Sequence, residues 1–116
     1  MKRTIKRVKD VLQGKAPLNA KRSTHWPTVR KNFLKLNPSC AACGDTAKLE
    51  VHHKMPFHLD PSLELDPNNL ITLCESDSYG IICHLYIGHL GNYKKFNPNV
   101  TEDAASVLKR LNESKA

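Results

Sequence analysis

Four cysteines constrain this chain more than any other feature. Cys40 and Cys43 form a C-x2-C pair followed by Gly44, and Cys74 and Cys83 supply a second pair with eight residues between them. A C-x2-C-Gly knuckle lets two thiolates reach one tetrahedral ion. The second gap is wider than in an ordinary zinc ribbon, yet one four-thiolate site accounts for every cysteine present. The competing reading is four unrelated buried thiols. At 116 residues, 40% of them hydrophobic and only 6% aromatic, the chain is expected to form one domain with a modest core. A closed all-cysteine zinc site supplements a core of that size. The basic N-terminus leads into no apolar signal-like run, and the longest apolar stretch, IICHLYIGHL, is broken by histidines and a glycine. A cytoplasmic setting with no membrane contact is therefore expected, in which cysteines are metal ligands before they are disulfides.

Charge is distributed unevenly. Residues 1–36 hold eleven lysines and arginines against a single acid, Asp10, a net +10, whereas residues 37–116 come to −3. The chain accordingly divides into a basic N-terminal arm, 1–22, and a folded domain, 23–116. Such an arm either engages a phosphate backbone or is a solvated tail.

Within the arm, Ile5, Val8 and Leu12 are spaced for one face of a short helix that Gly14 and Pro17 end, and residues 14–25 read as linker. STHWPTVRKNFLKLNP predicts a second helix, with Pro27 in its first turn and Asn37-Pro38 as its stop. Trp26 is expected to pack this helix onto the core, with stacking on a base as the alternative. KLEVHH alternates apolar and polar residues as a strand does, FHLDPSLELDPNN is a loop, and LITLC is a second strand. IICHLYIGHLG fits a short helix ended by Gly91, and Thr101 is the expected cap of a last helix whose apolar face is Ala104, Val107, Leu108 and Leu111.

Neighbouring strand residues point to opposite faces, so His52 and His53 cannot both face one metal from regular β structure. They can flank a reacting phosphate where the strand ends, one imidazole binding an ion and the other facing the scissile bond. His84 directly follows the last cysteine, and a zinc knuckle fixing helix to strand would let imidazoles from separate elements converge.

The segments CAACG, LEVHHKMP, NNLITLC and CH, in that order over residues 40–84, resemble the HNH endonucleases of the ββα-metal (His-Me finger) fold, and the similarity extends to about residues 23–100. The resemblance implies an α+β fold: a ββα-metal core with a structural four-cysteine zinc site and flanking helices, with 23–116 as the nuclease domain. It implies that His52 and His84 ligate a single divalent metal, that His53 is the general base for water, and that Asn69 hydrogen-bonds across the loop to hold the base in place. Many members carry aspartate where His52 stands, although the related colicin nucleases carry histidine. The Cys74–Cys83 gap also leaves the start of the metal-binding helix open. Colicin nucleases use two histidines on this helix, which makes His89 a candidate third ligand. It lies about 140° further round an α-helix than His84, however, so Gly88 would have to distort the backbone. A phosphate contact or a packed helix-end imidazole are the alternatives for His89.

The implied chemistry is physically coherent. An imidazole with an ordinary pKa of about 6.5 is largely neutral at pH 7 and can take a proton from water. A divalent ion is a Lewis acid toward the phosphate. Imidazole ligands favour Mn, Ni, Co or Zn over Mg, which prefers oxygen. His25 and His58 are expected to be surface or capping residues. The candidate DNA-binding residues are Lys2, Arg3, Lys6, Arg7, Arg30, Lys31, Lys54, Lys94 and Lys95; for Lys94 and Lys95, beside Tyr93 and Phe96, a solvated face is the alternative. The leading expectation is a metal-dependent nuclease of double-stranded DNA in a bacterial or phage-infected cell. The alternatives are a non-catalytic zinc-knuckle DNA-binding module and an accessory factor meeting phage packaging proteins. A homodimer is a further open partner.

Overall fold

A computed structural model describes residues 21–77 and 80–115, and over them the chain is α+β. The helix expected on Ile5, Val8 and Leu12, and the contacts expected of Lys2, Arg3, Lys6 and Arg7, lie outside the described residues.

Helix α1 spans Trp26–Leu36, with Pro27 in its first turn. Asn37 closes it, donating from its backbone N–H (2.8 Å) and from Nδ2 (3.1 Å) to the carbonyl of Phe33. Ser23 does not cap the helix itself; its Oγ accepts the N–H of His25, one residue before the first turn. Arg30 ties α1 to the sheet by bonding the Leu49 carbonyl and pairing with Glu50 at 3.2 Å. Its guanidinium is therefore engaged within the fold.

Strands β1 (Leu49–His53) and β2 (Leu70–Cys74) pair antiparallel, with Val51 opposite Thr72 and His53 opposite Leu70. β2 is buried at all five positions, and its one polar residue is satisfied because the Thr72 hydroxyl donates to the Asn37 carbonyl at 2.9 Å. The loop between the strands contains two short 3-10 turns, Pro61–Leu63 and Pro67–Asn69. Each is started by an Asp-Pro pair. Asp60 accepts the N–H of Ser62 and Asp66 that of Asn68, while proline presets the backbone angle of the first turn.

The stretch expected to be a short helix is a π-wound turn, His84–Gly88. Its carbonyls need no regular helical ladder: Asn97 Nδ2 donates to Ile87 O at 3.0 Å, and the Asn97 N–H donates to Gly88 O at 3.1 Å. Gly91 ends the turn as expected, at φ +84°, donating to the Leu85 carbonyl. Helix α2 runs Val100–Lys115. It begins one residue before Thr101, so Thr101 lies in the first turn and is not the cap. Asn97 and Asn99 prepare the start, with Asn97 Oδ1 accepting the N–H of Asn99 and the Asn99 carbonyl accepting that of Asp103.

The core is built around sulfur. Cys40, Cys43, Cys74 and Cys83 are buried together with Ile71, Leu73, Ile87, Val100 and Ala104, and Leu49, Val107 and Leu111 pack against that cluster. Among the described residues no helix is long and apolar enough to cross a membrane.

Candidate metal centres

Among the described residues two groups of donors could hold an ion: Cys40, Cys43, Cys74 and Cys83, and His52, His84 and His89. The two are built differently.

The thiol group is closed. All four residues are between 1% and 5% exposed. Gly44, at φ +79°, turns the chain back so that its N–H reaches Cys40 O, while the Cys43 N–H points at Cys40 Sγ. The Ala41 N–H bonds Thr72 O, fixing the knuckle to β2. An ion bonded to sulfur at about 2.3 Å in a tetrahedron spaces its ligands about 3.8 Å apart. Here the four sulfurs lie within 4.8 Å of one another, and Cys43 and Cys74 are 3.5 Å apart. Four thiolates could not share so small a buried space without a cation. Hydrogen bonding, led by that from Cys83, pulls the Cys40 thiol down to about 4. Burial pushes Cys43 up to about 11, and the bond to Cys40 together with burial pushes Cys83 up further. One thiolate thus suppresses its neighbours unless a dication is shared. The donor set fits structural zinc.

The histidine group is assembled from three places: the end of β1, the start of the π turn and the residue just after it. His84 Nε2 stands 3.2 Å from His52 Nδ1 and 3.2 Å from His89 Nε2. The three rings meet edge-on or nearly so. Outer partners decide which nitrogens carry protons. A carboxylate and a carbonyl can only accept, so His84 donates from Nδ1 to Glu75 Oε1 and His89 donates from Nδ1 to Lys95 O at 2.7 Å. Both Nε2 atoms are left as lone pairs pointing at each other. His52 Nε2 is buried without a hydrogen-bond partner, and its Nδ1 faces the group. Burial, reinforced by the neighbouring histidines, pushes His52 down to about 3 and so keeps it neutral; burial also lowers His89. Converging lone pairs repel unless a cation lies among them. An ion with bonds to nitrogen of about 2.0–2.1 Å in a tetrahedron sets its ligands about 3.3 Å apart, close to the spacing observed. The residues fit a divalent ion.

The π winding is what admits His89. On an α-helix five residues overshoot the face of His84, whereas an i→i+5 winding brings the fifth residue back toward it. Gly88 makes the closest approach: a Cβ there would lie 3.1 Å from His52 Cε1 and 3.2 Å from His52 Nδ1 and Leu73 Cδ1.

His53 faces the other way. Its ring lies 4.5 Å from that of Trp26 on α1, and Nε2 donates to the Glu64 carbonyl at 2.9 Å, which leaves Nδ1 without its proton. Burial lowers its pKa, outweighing the opposing pull of the Glu64 carbonyl bond, and so favours a neutral ring. Asn69 does not touch His53. Its Oδ1 accepts the Met55 N–H at 2.8 Å, and its Nδ2 donates to the carbonyls of Met55 and Leu63, pinning the loop whose next residue is Glu64. Asn69 therefore acts on His53 at one remove. The Glu64 side chain, nearly fully buried, accepts the Ser23 N–H and pairs with Arg22, whose guanidinium covers Phe57 at 4.3 Å.

An open cleft of about 510 Å³ joins the histidine group to His53 and is also lined by Arg22, Tyr93, Lys94 and Lys95. Lys94, Lys95 and Lys31 are exposed, and Lys54 is half-buried beside His53. His25 and His58 are exposed surface residues. Sequence reasoning gave no role to Glu75, Glu64 or Arg22, and named Tyr93 only as a neighbour of Lys94 and Lys95. Only Glu75 left a readable sign, since Cys74-Glu75 mirrors Cys83-His84 as a sulfur ligand followed by a polar side chain.

A family model described as HNH endonuclease matches residues 40–77, from the knuckle through β1 and Asn69 to just past Cys74, and stops short of His84 and His89. No curated protein and no solved structure matches the chain. HNH nucleases bind metal and act on DNA. Over residues 40–77 the chain is similar to the HNH endonuclease family, and that similarity suggests nuclease-type function and metal binding.

Proposed function

We propose that this protein is a metal-dependent DNA endonuclease in which His53 is the general base and His52, His84 and His89 hold one divalent ion. The observation that carries the proposal is the pair of oppositely prepared imidazole sets on one cleft. Three imidazole nitrogens converge within 4.8 Å on one side, two of them left as lone pairs by their outer partners, and a neutral ring with its proton on Nε2 stands on the other.

His53 Nδ1 takes the proton from a water entering the cleft, as a neutral imidazole can near pH 7. The Glu64 carbonyl and the Trp26 ring keep His53 from turning, so the accepting nitrogen is already aimed. Exposed Lys94 and Lys95 give the DNA backbone a basic rim beside the scissile bond. A divalent ion, when bound, supplies Lewis-acid stabilisation of the charge that builds on the phosphate and the departing oxygen. Four-cysteine zinc keeps the strand and the π turn at the spacing that lets the histidines meet.

The test is cleavage of supercoiled plasmid with Mg, Mn, Ni, Co or Zn, for the parent and His53→Ala, beside metal analysis and DNA binding. The expected result is activity with the transition metals at or above that with Mg, and a loss of about 10²–10⁴-fold in His53→Ala with zinc content and DNA affinity retained. A variant that cuts at the parent's rate would hand the assignment to a non-catalytic DNA-binding module.

A further inference from the structure

We infer that Glu75 is a positioning residue that sets the ion affinity of the three-histidine site and links that site to the thiol cluster. The inference rests on the reading that His52, His84 and His89 hold a divalent ion.

Two dipeptides cross between the clusters. Cys74 ends β2 in the thiol group, and the next side chain, Glu75, reaches toward the histidines. Cys83 belongs to the same thiol group, and the next side chain, His84, is one of them. Glu75 and His84 then meet, with His84 Nδ1 donating to Glu75 Oε1. Each end of this contact is thus one peptide bond from a sulfur ligand, so the thiol cluster determines how far apart carboxylate and ring stand. The Glu75 backbone is held as well, its N–H donating to Lys48 O at 2.8 Å.

The same carboxylate holds a second arm. The Tyr93 hydroxyl donates to Glu75 at 3.2 Å from Oε1 and 3.0 Å from Oε2. The Tyr93 ring lies 5.1 Å from that of His89 and 5.8 Å from that of His84. Glu75 therefore fixes His84 directly and supports His89 through Tyr93, while His52 is fixed independently by β1. A carboxylate on the far nitrogen of a ligating imidazole locks the tautomer, holds the ring plane and makes the ligating nitrogen more basic. Losing such a partner typically costs a metal site about 10–100-fold in affinity. An exposed ion pair that only decorates the surface would cost the site nothing.

The experiment is calorimetric titration of Ni2+ into the full, zinc-loaded chain, for the parent, Glu75→Gln, Glu75→Ala, Tyr93→Phe and His84→Ala, with zinc counted and circular dichroism recorded for each. Glu75→Ala is expected to weaken Ni2+ binding about 10–100-fold. Glu75→Gln, which keeps an acceptor but not the charge, should fall between it and the parent, and Tyr93→Phe should fall nearest the parent. Zinc content and the folded spectrum should not change. In plasmid cleavage the metal concentration giving half-maximal rate should rise by the same factor, while the rate at saturating metal falls less. Parent-like Ni2+ affinity in both Glu75 variants, with His84→Ala weakened, would overturn the role of Glu75 and leave the ion site standing. Absence of Ni2+ binding to the parent, or parent-like binding by His84→Ala, would overturn the site itself and the inference with it.

Discussion

The thiol cluster and the histidine cluster are built from adjoining residues yet are opposites in design. Every cysteine is sealed in the core, between 1% and 5% exposed, and β2 beside them is buried throughout. Of the three histidines only His52 is sealed. His84 and His89 are half-buried on the wall of a cleft, and their outer nitrogens are occupied by Glu75 and Lys95. A closed set of four ligands leaves an ion nothing further to bind, which suits a structural ion. Three ligands beside open space leave positions for water or substrate. The difference suggests that removing the first destroys the fold, while removing the second destroys only what the fold is for.

The largest effect is therefore expected at a cysteine. A structural zinc contributes on the order of 10 kcal/mol of apparent binding energy, comparable with the whole stability of a domain this size. Cys74→Ser should lose bound zinc and the cooperative thermal transition together. A variant that still melts cooperatively near the parent's temperature would break the division of labour between the clusters. His89→Ala should leave the melting temperature of the zinc-loaded protein without added metal nearly unchanged, since half-exposed positions usually shift stability by no more than about 0.5 kcal/mol. Its affinity for Ni2+ should drop by more than about 100-fold, beyond the loss expected for an outer partner. Unchanged affinity would mean that two histidines suffice and that the π winding serves some other end.

The two clusters also differed in how far they could be read from the sequence. The C-x2-C-Gly knuckle, the alternation of LEVHH and the apolar run LITLC specify a β hairpin tied to a sulfur cluster by local rules, and those elements stand where expected. Asp60-Pro61 and Asp66-Pro67 mark loop turns by the same kind of rule. The π turn escapes because it is set by tertiary contacts. Asn97 takes carbonyls from a turn ten residues earlier, and His89 comes into range only once the winding has widened. Spacing on an ideal helix argues against that ligand. The orientation of His53 is equally hidden, since its partner is the backbone carbonyl of Glu64, a group every residue carries. Trp26 was expected at the core and is found against His53, a contact between segments far apart along the chain.

The smallest effect, and the finest probe of the contrast, lies at Gly88. Its backbone is not in the left-handed region, so alanine brings no conformational strain there. The cost is contact alone. The new methyl would sit 3.1 Å from His52 Cε1 and 3.2 Å from Leu73 Cδ1, and each must give by a few tenths of an ångström. Leu73 is fully buried under the thiol cluster, while His52 is held on one face of a strand that cannot slip without exposing His53. The ring of His52 is the softer neighbour, because one of its nitrogens has no hydrogen bond to keep it in place. Overpacking of this order costs about 1–2 kcal/mol, enough to lower the melting temperature and not enough to unfold the domain. The displaced ring should weaken Ni2+ binding by roughly 5–10-fold, which is about 1 kcal/mol of misdirected ligand, with the four cysteines still carrying their zinc. A Gly88→Ala protein that loses zinc before it loses Ni2+ affinity would place the strain on Leu73 and the sulfur side, and the two clusters would then share one rigid core.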